Sequence, residues 1–155
     1  MKKTSFLFAA LILLAAISVN ATDFSGKWKL SRTKSMLNDQ FSLAPSDAVI
    51  TQSGNDFSIE KHANYQGTDY TISEKYSLDG KECINDGFQG SKKKSTAAWD
   101  ETKQVLTVKS TLPMQDGTEV SITEVYKMKG NDLEVKSFAS SSYGDLDETI
   151  VYEKQ

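Results

Sequence analysis

From Phe24 to the last residues of the chain, apolar and polar side chains alternate one by one, in short runs separated by turn-forming residues. A period of two is the mark of strands that bury one face. It places strands at 25–31, 47–53, 57–64, 69–78, 81–85, 88–98, 104–111, 118–128, 132–139 and 146–153. Between them lie Gly54-Asn55-Asp56, Asp79-Gly80, Asp86-Gly87, Asp116-Gly117 and Gly130-Asn131-Asp132, residues that tolerate the backbone of tight turns. Tight turns join antiparallel neighbours. The predicted fold class is all-β: a single antiparallel up-and-down β-barrel of about eight to ten strands, with nine or ten favoured, because closure removes exposed sheet edges. A two-sheet sandwich is the alternative.

One connection departs from this rhythm. Lys34 to Ser46 contains Met36, Leu37, Phe41, Leu43 and Pro45 but no tight-turn signature. Met36, Leu37 and Phe41 suit one face of a helical turn or two, forming a lid across a barrel end; a loop packed on the core edge is the plainer reading.

The N-terminus has a different composition. Lys2 and Lys3 precede an apolar run from Phe6 to Ile17, and Val19 and Ala21 fit a peptidase site. This is the pattern of a secretory signal peptide over 1–21, too short to span a bilayer. Cleavage before Thr22 leaves 134 of the 155 residues, a length that suits one domain over 22–155. The exported form is expected to be soluble and periplasmic or secreted, with no integral membrane segment and no lipid anchor near the cut. Loss of Lys2 and Lys3 leaves 16 basic residues against 21 acidic, a formal charge of −5, so nucleic acid is not an expected partner. The single Cys83 rules out an internal disulfide.

Phe24-Ser25-Gly26-Lys27-Trp28-Lys29-Leu30 is similar to the opening strand of the lipocalin and fatty-acid-binding-protein (calycin-like) superfamily, in which Gly-x-Trp sets an indole against the closed barrel end. Asn55-Asp56-Phe57-Ser58-Ile59, Leu78-Asp79-Gly80-Lys81-Glu82, Trp99-Asp100 before Leu106-Thr107-Val108, and Ile150-Val151-Tyr152-Glu153-Lys154 resemble the family's successive hairpins. With the leader, the chain resembles an exported, bacterial-type lipocalin-like protein. The resemblance implies structural roles for Gly26 and Trp28 at the barrel end, and a cavity lined by inward side chains. The Arg-x-Tyr by which fatty-acid-binding proteins hold a carboxylate is incomplete: Ile150-Val151-Tyr152 keeps only Tyr152, and Arg32, the sole arginine, lies elsewhere.

Alternation also predicts what lines the cavity. Glu74 shares a face with Tyr70, Ile72 and Tyr76; Glu124 with Ile122 and Tyr126; Glu148 with Ile150 and Tyr152. The expected cavity residues are therefore Tyr70, Glu74, Tyr76, Glu124, Tyr126, Glu148, Ile150 and Tyr152. With no inward basic residue in view, the cavity reads as acidic, suited to a small apolar ligand that is neutral or cationic rather than a free fatty acid. A bulge that turns a glutamate to solvent is the competing reading.

Other conspicuous residues read as structural. His62 falls on the outer face with Ser58, Glu60 and Asn64, Cys83 reads as a packed thiol, and Lys92-Lys93-Lys94 as a solvated edge. Trp28, Phe57, Phe88 and Trp99 are expected in the core, and small inward residues such as Ser95, Ala97, Ser137 and Ala139 suit a hollow barrel. No catalytic residue, metal site or cofactor is expected. The function indicated is non-catalytic binding or transport of a small apolar ligand outside the cytoplasm. The alternatives are an exported protein-interaction or inhibitor module with a filled barrel and, behind it, an enzyme using Glu74 and Glu124.

Overall fold

The computed structural model describes residues 20–65, 67–87 and 90–155. Residues 1–19, most of the expected signal peptide, and Phe88 lie outside that set. The strands are β1 (Gly26–Leu30), β2 (Asp47–Ser53), β3 (Asp56–Tyr65), β4 (Thr68–Ser77), β5 (Cys83–Asp86), β6 (Lys92–Trp99), β7 (Val105–Pro113), β8 (Glu119–Lys129), β9 (Asp132–Ser141) and β10 (Gly144–Lys154). They form one ten-stranded antiparallel sheet in the order β4-β3-β2-β1-β10-β9-β8-β7-β6-β5. The sandwich alternative is thereby excluded. β1 pairs with β10, setting Trp28 opposite Lys154 and Leu30 opposite Tyr152, and the sheet curls into a nearly closed barrel.

The seam lies between β4 and β5, where no backbone ladder forms. β5 has only four residues, and side chains lace the gap. Asn85 Oδ1 accepts the Lys75 N–H at 2.8 Å while its Nδ2 donates to the Lys75 carbonyl at 3.0 Å. The amide thus imitates the peptide group of a missing strand. Cys83 Sγ accepts the Ser77 N–H at 3.1 Å. Asn85→Ala should cost about 1–2 kcal/mol by stranding these two backbone groups, and hydrogen exchange at the Lys75 amide should accelerate. Unchanged exchange there would mean that Asn85 does not hold the seam.

One barrel end is filled. Phe24, Trp28, Phe57, Leu106 and Leu133 are fully buried there, Phe24 stacks on Trp99 with centroids 5.6 Å apart, and Trp28 Nε1 donates to the Phe24 carbonyl at 2.9 Å. Gly26 makes this possible: its φ is +145°, and a Cβ would meet the Lys154 chain at 3.0 Å. Gly87 serves differently from a positive-φ turn residue. A Cβ there would sit 2.4 Å from Leu112 Cδ1, and positive φ in that turn belongs to Gly90, at 81°.

The segment between β1 and β2 contains no helix. Its side chains satisfy the backbone locally instead: Asn38 Oδ1 accepts the N–H groups of Gln40 and Phe41, each at 3.0 Å, and Ser42 accepts that of Ala44 at 3.2 Å. Such bonds compete with helical ones. The segment is strapped to β10, with Met36 bridging Thr149 in both directions and the Asn38 N–H donating to Glu148 Oε1 at 2.9 Å. Leu37 packs against the core. Met36 is exposed and Phe41 half-exposed, so the expected three-residue apolar face does not form.

Candidate functional site

Halfway up the barrel, above the aromatic end, four strands contribute charged side chains to one interior cluster. Lys61, on β3, is the hub: its Nζ lies 2.7 Å from Glu124 Oε1 on β8 and 3.1 Å from Glu74 Oε2 on β4. Lys93, on β6, pairs with Glu74 Oε1 and reaches the Tyr76 hydroxyl at 3.5 Å. Tyr76 in turn donates to Glu74 Oε2 at 2.7 Å. The two lysines balance the two carboxylates.

The electrostatics follow from this geometry. Burial disfavours the charged form of Glu74, but Lys61 and Lys93 outweigh it and hold the carboxyl at about 2, against an ordinary 4.5. Burial likewise opposes the charge on Lys61, yet Glu124 above all, with Tyr126 and Glu74, keeps its pKa well above the usual value. Burial pushes the hydroxyls of Tyr76, Tyr126 and Tyr152 upward, so all three stay protonated. Two buried atoms, Glu124 Oε2 and the Tyr126 hydroxyl, have no hydrogen-bond partner among the described residues. One is an acceptor in want of a donor; the other can donate and accept.

The structure brings together Glu74, Tyr76, Glu124 and Tyr126, and buries Ile150 and Tyr152 on the same inward face. Glu148 is also buried, occupied by the Asn38 N–H rather than by the cluster. Tyr70 departs from expectation. It keeps the inward parity of Glu74 but is 47% exposed, because the upper part of β4 is exposed on both faces. The expectation of an acidic cavity without basic residues fails as well. Lys93 shares the inward face of Ser95 and Ala97 while Lys92 and Lys94 point to solvent, as a period of two demands of any three consecutive residues. Lys61 follows Phe57 and Ile59 inward. Both lysines were legible from parity; the run of like charge hid Lys93, and Lys61 was passed over although it alternates with Phe57 and Ile59.

His62 and Glu60 are on the outer face as expected. His62 Nδ1 pairs with Asp47, which raises the imidazole pKa, and Nε2 lies 3.0 Å from Glu60 Oε1. No group of three or more His, Cys, Asp or Glu among the described residues is arranged to hold a metal ion, and no helix among them is long and apolar enough to cross a membrane. A groove of ≈ 540 Å³ runs over the outside of the seam, bounded by Ser73 and Lys75 on one bank and Ile84, Asp86 and Lys92 on the other.

Solved structures share this architecture. The ileal bile-acid-binding protein of zebrafish, complexed with cholic acid, superimposes with a TM-score of 0.56 at 19% identity, over 85% of this chain and 98% of that one. The fold is calycin-like. Secretory abundant heat soluble protein 4 from Ramazzottius varieornatus matches the calycin-like barrel with a TM-score of 0.51 at 17% identity, over 84% of this chain and 94% of that one. The fatty-acid-binding protein of Manduca sexta gives a TM-score of 0.41 at 21% identity, over 69% and 71% of the two chains. No family model and no curated protein sequence matches the chain. The interior of this barrel carries its positive charge on Lys61 and Lys93.

Proposed function

We propose that the protein reversibly binds a small molecule with an apolar body and a neutral hydrogen-bonding head, held between the charged cluster and the strapped β1–β2 segment. The observation that carries this reading is the pair of buried, unpartnered atoms, Glu124 Oε2 and the Tyr126 hydroxyl. A hydroxyl or amide on the ligand satisfies both, donating to the carboxylate and accepting from the phenol, and relieves the cost of two buried polar groups left unmatched. The cluster is already neutral overall, so a free carboxylate would add an uncompensated negative charge and a cation an uncompensated positive one. Partly buried Ile122, Ala139 and Leu146 supply the apolar wall above it. The side chains of Lys61 and Glu124 retain 12% and 11% exposure, so the head can reach them from the open half.

Binding without conversion also fits the titration of the cluster. A carboxyl held at about 2 is not poised to exchange protons near neutral pH. The zebrafish neighbour, which by its name binds bile acid, supports a barrel of this type as a carrier. We place the action outside the cytoplasm, on the strength of the signal-peptide pattern over 1–21. A second reading, a protein-interaction module with a filled barrel, is favoured by the same cluster's saturating most of its own charges.

Titration with phenylnaphthylamine, a neutral apolar fluorophore bearing one N–H donor, separates the two. Saturable binding is expected, with oleate a poor competitor, and Tyr126→Phe and Glu124→Gln should each weaken the probe by about two- to tenfold, the worth of one hydrogen bond. Absence of saturable binding to a folded wild type would overturn the carrier reading in favour of the interaction module.

A further inference from the structure

The two ends of the barrel differ in charge. Because successive strands run in opposite directions, the mouth is bordered by the β1–β2 segment and by the β3–β4, β5–β6, β7–β8 and β9–β10 connections. Over 36–46, 64–69, 87–91, 114–119 and 139–147 these carry Asp39, Asp69, Asp116, Glu119, Asp145 and Asp147, and not one lysine, arginine or histidine. All six are exposed, and among the described residues none of them forms an ion pair. Three are held by neutral donors instead. Asn64 donates to Asp69 at 2.7 Å and Ser140 to Asp145 at 2.5 Å. Tyr143 and Thr118 donate to Asp116 and hold its carboxyl at about 2. Acids elsewhere have cationic partners: Asp47 has His62 and Asp86 has Lys92 just below the mouth, while at the closed end Asp79 has Lys81, and Asp132 and Glu153 share Lys34.

We infer that this acidic collar is a selectivity filter, which turns away anionic amphiphiles as they enter the barrel and leaves neutral ones unhindered. The inference rests on the carrier reading and adds to it the residues that reject one class of ligand. Like charges around a low-dielectric opening add up and focus their field along its axis. An approaching anion therefore meets the repulsion of all six carboxylates, while an uncharged molecule of the same shape meets none. The collar stands over a site that lacks a partner: Tyr126, 1% exposed, and Glu124 Oε2 face the barrel interior with no hydrogen-bond partner among the described residues. Leu43 and Tyr143, both exposed, offer an apolar body its first contact beside the carboxylates. Entry and interior select in the same direction, since inside the barrel Lys61 and Lys93 are already paired with Glu74 and Glu124. Rejecting the wrong ligand by repulsion is as effective a route to specificity as improving contacts to the right one.

The test is a matched pair of fluorophores, phenylnaphthylamine and its sulfonated counterpart anilinonaphthalene sulfonate, which differ by a single negative charge. Stopped-flow fluorescence on the protein expressed from its full sequence measures how fast each associates. Raising the ionic strength from about 0.01 M to about 1 M shortens the screening length from about 30 Å to about 3 Å. Over that range the wild type should take up the sulfonate about tenfold faster, while the neutral probe changes by less than about twofold. The triple variant Asp39→Asn/Glu119→Gln/Asp147→Asn, exposed substitutions throughout, should raise the low-salt rate of the sulfonate about threefold and leave the neutral rate and the circular dichroism unchanged. Asp39→Lys/Glu119→Lys/Asp147→Lys should raise it further. A sulfonate rate indifferent to salt and to both variants, with the neutral probe binding normally, would overturn the filter and leave the carrier reading standing. So would a sulfonate refused at every salt concentration and by both variants, because the exclusion would then lie at the interior cluster. If neither probe binds the folded protein, the carrier reading falls and the filter falls with it.

Discussion

Lys61→Met should destabilise the protein by about 3–5 kcal/mol at neutral pH, the usual consequence of removing one partner from a buried charge network. The methionine fills the space of the lysine stem but leaves Glu74 sharing only Lys93, and Glu124 with no cation. Urea unfolding monitored by tryptophan fluorescence measures the loss. Its pH dependence carries a sign. In the wild type, Glu74 titrates at about 2 when folded against 4.5 ordinarily, so its contribution is complete above pH 4.5 and disappears as pH falls through about 2. In the variant the folded Glu74 carboxyl loses the lowering effect of Lys61 and titrates higher, protonation relieves its buried charge, and the gap between the two proteins should narrow on acidification. The double variant Lys61→Met/Glu124→Leu removes a balanced pair and keeps Glu74 with Lys93, and it should recover most of the stability. A single variant as stable as the wild type would show that the lysine's desolvation already cancels its attraction to the carboxylates.

Trp28→Ala should cost a similar amount, about 3–5 kcal/mol, by the cavity that truncation of a buried tryptophan leaves. Trp28 is 1% exposed and fixes the entering chain through its bond to the Phe24 carbonyl, so the Phe24–Trp99 stack should loosen with it. Thermal unfolding followed by near-ultraviolet dichroism, which reports the aromatic end, checks both effects. Trp28→Phe should lose less, retaining most of the apolar contact while forfeiting the hydrogen bond.

How much of this was written in the alternation of residues differs from element to element. Strands such as β2 (Asp47–Ser53) and β9 (Asp132–Ser141) were legible nearly to the residue, because each has one buried face and a glycine-bearing turn beside it, Gly54 after β2 and Gly130 before β9. Parity also placed Glu74, Glu124 and Glu148 inward. Parity gives the face of a strand but not the height along the barrel axis, which is why Tyr70 was assigned to the cavity and stands at the rim. Charge patterning misled at Lys93, where three consecutive lysines read as one solvated unit although neighbours on a strand point to opposite sides. The β1–β2 segment was ambiguous because its apolar residues suit a helix while Asn38, Ser42 and Pro45 favour turns, and the local hydrogen bonds prevailed.

The pairing of β1 with β10 has a bearing on how the chain reaches this state. Every other ladder joins strands adjacent in sequence and forms by local hairpin closure; this one alone spans the whole domain, so its loop entropy falls due at the last step and sets a slow, high-contact-order search. The seam between β4 and β5 is where sequence neighbours are held only by side chains. A circular permutant that joins the present ends and opens the chain at Gly80 would turn the slowest closure into one more hairpin and move the interruption in the polypeptide to the place where the ring is already discontinuous.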